Sequence, residues 1–149
     1  MLGQIAPVLL DALDTLSVAD CSRPALPRPD LAGCKLRLRG ATPIYVIDPD
    51  GYRRLIPFPL TYMNLFKDAS LLQVQVYNTL GEIIEGEPLD DGTILLRGRC
   101  SENIYLLDQK KKRLIPNLRI MDKYEFNAEA AVVVPQILMD ALPDGEAWE

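Results

Sequence analysis

The chain contains no histidine. That excludes an imidazole general base, the Ser-His-Asp and Cys-His nucleophile arrangements, and every His-ligated metal site. Cysteine is scarce: Cys21, Cys34 and Cys100 are the three present, and no two form a Cys-x-x-Cys. An odd count without that motif argues against a zinc knuckle or redox pair, and for free thiols in a reducing compartment. Basic residues are in deficit, with 16 Lys plus Arg against 21 Asp plus Glu and a net charge of -5. Nucleic acid is therefore not the expected partner, since its binding is driven by neutralising phosphates. No apolar run approaches the ~20 residues of a membrane span. Residues Met1 to Leu10 carry no Lys or Arg, so the basic start of a signal peptide is missing and a cytoplasmic protein is expected. Phosphate-cradling glycine loops, Gly-x-Ser-x-Gly and dinucleotide fingerprints are absent too.

What is present is the composition of an ordinary globular protein, 149 residues with 48% hydrophobic and 25% charged. Within residues 1–20, the stretch 7–18 reads as an amphipathic helix. Pro7 suits a first helical position. Leu9, Leu10, Leu13 and Leu16 share one face, with Asp11 and Asp14 away from it. Isolated helices below ~12–15 residues are marginal in water, so this stripe needs a cover. A protein partner or self-association through Leu9, Leu13 and Leu16 is expected to supply it. Residues 21–31 hold Pro24, Pro27 and Pro29 and read as an extended linker.

The rest of the chain repeats itself. Ile44-Tyr45-Val46-Ile47-Asp48 returns as Ile104-Tyr105-Leu106-Leu107-Asp108, and Arg54-Leu55-Ile56-Pro57 as Arg113-Leu114-Ile115-Pro116. Leu38-Arg39-Gly40 is matched with Leu96-Arg97-Gly98, and Gly86-Glu87 with Gly145-Glu146. The spacing between copies changes only where turns are expected. Each unit, 32–91 and 92–149, predicts a strand ending near glycine, then a hairpin closed by a strand-stopping proline. A short helix follows (60–66; 118–124), then an apolar strand (71–76; 130–134), then a helical turn (79–84; 136–142). The expected fold is α+β: two tandem pseudo-symmetric repeats of order β-β-β-α-β-α behind an N-terminal helix.

The motif Ile-Tyr-x-x-Asp followed by Arg-x-Ile-Pro resembles tandem repeats of about 55–60 residues in bacterial surface and cell-wall-associated proteins, especially in actinobacteria. Leu89 to Trp148 matches best, and Leu31 to Glu87 matches with a less typical opening. The resemblance implies an extracellular binding module, without naming its ligand. Where such repeats carry a Gly-aromatic pair after the helix, this chain has Phe66-Lys67 and Glu125-Phe126.

Candidate site residues follow from the repeated positions. Asp48 and Asp108 end equivalent hairpin strands, where aspartate ordinarily bonds the turn backbone rather than performing general acid-base work. Asp48-Pro49-Asp50-Gly51 resembles half of a calcium loop but lacks its remaining ligands. Arg54 and Arg113, if converging with others on one face, form an anionic-ligand cluster; otherwise they pair across strands with Asp48 and Asp108. Lys110 and Lys111 lie in the one basic run, a solvated turn or the contact for an anionic partner. Tyr45 and Tyr105 either pack with wet hydroxyls or stack on a sugar ring. Met63, Met121 and Met139 read as core fillers. The expectation is a non-catalytic adaptor without cofactor or metal that recognises a protein. A carbohydrate- or cell-wall-binding module is the first alternative, and an enzyme using carboxylates the second.

Overall fold

A computed structural model describes residues 24–68 and 70–149. The helix expected at 7–18, its stripe of Leu9, Leu13 and Leu16, and Cys21 lie outside the described residues. The fold is α+β and holds two four-stranded sheets. The first has the order β3-β2-β1-β4, with β1 Lys35–Leu38, β2 Ile44–Ile47, β3 Arg53–Ile56 and β4 Val74–Tyr77. The second has the order β7-β6-β5-β8, with β5 Leu95–Gly98, β6 Ile104–Asp108, β7 Lys111–Ile115 and β8 Val132–Val134. In both, the first three strands form an antiparallel meander, and the fourth returns parallel to the first after a crossover. The crossovers carry α1 Pro59–Leu65 and α2 Leu118–Lys123, and α3 Gln136–Ala141 follows β8.

Local chemistry explains these elements. Pro59 sits in the first turn of α1, where its missing N–H costs nothing. Asn117 caps α2, its side chain accepting the Ile120 N–H at 3.0 Å. The β6–β7 turn is the two residues Gln109-Lys110, both with positive φ (52° and 68°), as a tight hairpin with right-handed strand twist requires. The β2–β3 turn is longer and closes at Gly51, whose φ of 90° suits a residue without Cβ.

The two sheets share one core. Val46, Ile56, Leu65 and Phe66 of the first half pack with Leu95, Leu106, Ile115 and Phe126 of the second. Ile56 and Ile115 are both buried, and Ile44 and Ile104 both half-buried. The halves meet where backbone pairs with backbone. Lys67 N–H donates to the Glu125 carbonyl at 2.9 Å and Asn127 N–H to the Leu65 carbonyl at 2.8 Å, with Phe66 opposite Phe126. Their rings stack at 5.5 Å, and Tyr124 stacks on Phe126 at 5.3 Å. A second cluster, Leu36, Ile47, Leu80 and Ile83, covers the opposite face of the first sheet.

Four expectations are corrected. The segment 79–84 forms no helix: Thr79 Oγ1 accepts the Gly81 N–H, and Leu26 pairs in parallel with Ile83. The Leu26 N–H donates to the Glu82 carbonyl at 3.1 Å and its carbonyl accepts the Ile84 N–H at 3.0 Å, while the Ile83 N–H donates to the Leu80 carbonyl at 3.1 Å, so the segment makes a single turn and then pairs instead of winding on as a helix. For the same reason residues 24–31 are not a free tether; they lie against the first sheet and end in a 3-10 turn, Pro29–Leu31. Strand registers equate Leu36-Arg37, not Leu38-Arg39, with Leu96-Arg97, because Leu36 faces Tyr45 as Leu96 faces Tyr105. Arg37 and Arg97 each reach a carbonyl four residues on, those of Ala41 and Ser101. Met121 and Met139 are core residues, but Met63 is 58% exposed on α1.

Truncating the ring at the junction, Phe126→Ala, is expected to cost about 3–5 kcal/mol of unfolding free energy in a denaturant titration. Tyr62 and Tyr124 are buried, and burial pushes both hydroxyls above their ordinary pKa. Past about pH 10 the unfolded chain ionises its tyrosines while the folded chain keeps these protonated, so stability falls as pH rises through that range. A Tyr62→Phe/Tyr124→Phe chain should show a shallower alkaline decline in denaturation midpoint than the parent.

Candidate functional site

Strands alternate their side chains between faces, and this sorts the candidate residues. Val46 and Leu106 point into the shared core, so their cross-strand partners Arg54 and Arg113 point inward with them. Tyr45 and Tyr105, one residue earlier, point to the outer faces. The two tyrosines and the two arginines therefore do not line one site. Arg53 lies over the Tyr45 ring at 4.9 Å and Lys112 over Tyr105 at 5.9 Å. Lys110 and Lys111 are exposed at the hairpin tip, whereas Lys112 is buried, its Nζ donating to the Leu142 carbonyl at 2.7 Å. Lys112 thus belongs to the packed body and not to a solvated run.

Inside, the structure brings Asp48, Arg54, Asp108 and Arg113 together. Arg54 donates Nη1 to Asp48 Oδ2 at 3.2 Å and Nη2 to Asp108 Oδ1 at 2.7 Å, all three side chains being about 5% exposed. Its Nε donates to the Glu87 carbonyl. Arg113 donates to Asp108 Oδ2 at 2.9 Å and to the Glu146 carbonyl at 2.8 Å, the same pattern in the second half. Asp48 Oδ1 accepts the N–H groups of Asp50 and Tyr52. The Trp148 ring lies beneath both guanidinium groups, 4.7 Å from Arg113 and 6.0 Å from Arg54. Between these partners the charges are satisfied, and hydrogen bonds to Asp108 and Asp48 hold the Arg54 guanidinium protonated against its burial. A polar cleft of about 690 Å³ opens onto this network past Glu85, Glu87 and Gln109. Both carboxylates are committed to arginines or turn amides, so neither stands ready as a general base. Among the described residues no group of His, Cys, Asp and Glu is placed to hold a metal ion. Cys34 and Cys100 are free thiols.

The sequence left a second feature unnoticed. Beside α1 lies a groove of about 830 Å³, walled by Ile44, Ile56, Pro57, Tyr62 and Val74 and rimmed by Phe58, Met63 and Leu71. Its rim is exposed, and so is the neighbouring Leu60. Leu71 holds a φ of 61°, strained for a leucine. Strand and helix registers match these positions to Asn117, Arg119, Asp122 and Ala128 of the second half. The halves differ there, and comparing them position by position is the signal that finds the groove.

No family model, no curated protein and no solved structure matches the chain. No helix among the described residues is long and apolar enough to cross a membrane.

Removing a partner from a buried ion network leaves the rest uncompensated. Asp108→Ala takes from Arg113 its carboxylate and leaves Arg54 with Asp48 alone, and is expected to lower stability by about 3–5 kcal/mol, read from denaturant midpoints.

Proposed function

We propose that this chain is a non-catalytic adaptor built from a duplicated module, and that it holds a protein partner in the groove beside α1. One observation carries this reading. The first half places Phe58, Leu60, Met63 and Leu71 where the second has Asn117, Arg119, Asp122 and Ala128. A half with the same strand order is built with polar or small residues at those positions, so the apolar side chains are not demanded by folding. Contiguous exposed apolar surface that the fold does not require is surface for an interaction. The groove's apolar walls suit the hydrophobic face of an amphipathic helix, read at i, i+3 or i+4, and i+7. Duplication supports the same role, since one copy is free to vary while the other keeps the frame.

A glycan-binding module is less well supported. Tyr45 and Tyr105 stand on outer faces, but a cation already lies over each ring. The committed state of Asp48 and Asp108 speaks against carboxylate catalysis. Lys110 and Lys111 are exposed at a hairpin tip and are not among the residues that line the groove.

The test exchanges the rim for its counterpart, Phe58→Asn with Leu60→Arg and Met63→Asp. Surface substitutions of this kind change stability by about 0.5 kcal/mol or less. Amphipathic helical peptides selected by display against the full parent chain should bind the exchanged chain at least tenfold more weakly (about 1.4 kcal/mol). Retained affinity would remove the groove from the reading, and a large fall in melting temperature would make the rim structural.

A further inference from the structure

We infer that the groove is covered in the resting chain by its own N-terminal leucines, Leu9, Leu13 and Leu16, which a partner must displace. This rests on the groove being a docking surface, and three observations select the occupant. The first is where the chain enters. Leu26 pairs with the segment at Ile84, and the Ile84 carbonyl accepts the Arg53 N–H of β3 at 3.0 Å. Leu26 is thus two strand spacings from Arg53, about 10 Å. Ile56, in the groove wall, lies three residues further along β3, another ~10 Å. The second is reach. Ten residues separate Leu16 from Leu26, with Pro24 the one proline between them, and an extended chain of that length spans up to ~33 Å, more than the path requires. A tether this short gives a local concentration in the mM range, which favours the chain's own segment over a second copy.

The third is complementarity. Residues 1–20 carry Asp11, Asp14 and Asp20 and no basic side chain. Among the residues lining the groove, Arg37 is the one charged side chain. An apolar stripe flanked by acids fits an apolar groove edged by one cation. Asp11 and Asp14 leave the stripe and stay in water, so covering the groove buries leucine without burying carboxylate.

Methionine reports the state directly, because Met63 is exposed at the rim while Met121 and Met139 are in the core. In full-length protein with labelled methionine methyls, relaxation by a soluble paramagnetic probe is measured without any ligand. The Met63 methyl should be protected nearly as well as those of Met121 and Met139, independently of protein concentration. Leu13→Asp with Leu16→Asp should raise its relaxation several-fold, with the two core methyls unchanged as proof of an intact fold. A Met63 methyl that relaxes equally fast in both chains overturns the inference. Protection that disappears on dilution also overturns it, and assigns the cover to a second copy. Either failure leaves peptide binding at the groove to stand or fall separately, because no peptide enters this measurement.

Discussion

The centre of the molecule depends on keeping the Arg54 guanidinium charged where it is almost wholly withdrawn from solvent. Removing an ion from water costs several kcal/mol even after relaxation, so the site must return that cost in hydrogen bonds. It does so from both halves. Asp48 comes from the hairpin that carries Arg54 itself, and Asp108 from the equivalent hairpin of the second sheet. Arg113 then holds the other oxygen of Asp108. Each sheet alone supplies an Arg-Asp pair; docking them makes a chain of alternating charges with Trp148 beneath it. Apolar packing does not care about register to within a side chain, but this chain of bonds does. It fixes how one sheet sits on the other.

The symmetry of the two halves is broken where the junction needs it. Lys35 occupies the strand position that Leu95 holds in the second half, and it is 2% exposed. Its Nζ lies 2.6 Å from Glu125 of the opposite half and 4.7 Å over the Phe66 ring. Glu125 can reach it because its backbone takes a φ of 56°, costly for a residue with Cβ and the conformation that glycine adopts freely. The strain at Glu125 is repaid across the interface. It also sets Phe126 opposite Phe66, so that the antiparallel pairing, the ring stack and the Lys35–Glu125 ion pair form together.

Much of this frame is legible in the sequence, and what is not has identifiable causes. Alternation in Ile44–Ile47 and Ile104–Asp108, with turn residues between apolar runs, locates the hairpins because those interactions are local. The segment 79–84 has a helical apolar pattern but no helix, since its backbone is bonded by Leu26, more than fifty residues earlier. Lys35 reads as a surface cation from its neighbours; its partner stands 90 residues away. That Tyr45 and Arg54 lie on opposite faces is legible too, because strand alternation and hairpin register already send them there.

Comparing the two halves explains why the groove was hidden. An apolar residue in a periodic pattern reads as core, and Met63 satisfies the pattern of α1 as well as Tyr62 does. Only the second half shows a carboxylate at the matching place, Asp122, which is exposed there. Where both halves keep an apolar residue, as at Ile56 and Ile115, the core requires it. Where they keep an Arg and an Asp, as at Arg54 and Arg113 or Asp48 and Asp108, the junction requires them. Where one half is apolar and the other polar, the fold is indifferent and the difference belongs to what the surface meets. By that criterion the two faces of this molecule separate cleanly. The inner face, with its arginines and carboxylates, holds the halves in one arrangement, and the groove beside α1 is the part free to acquire an occupant.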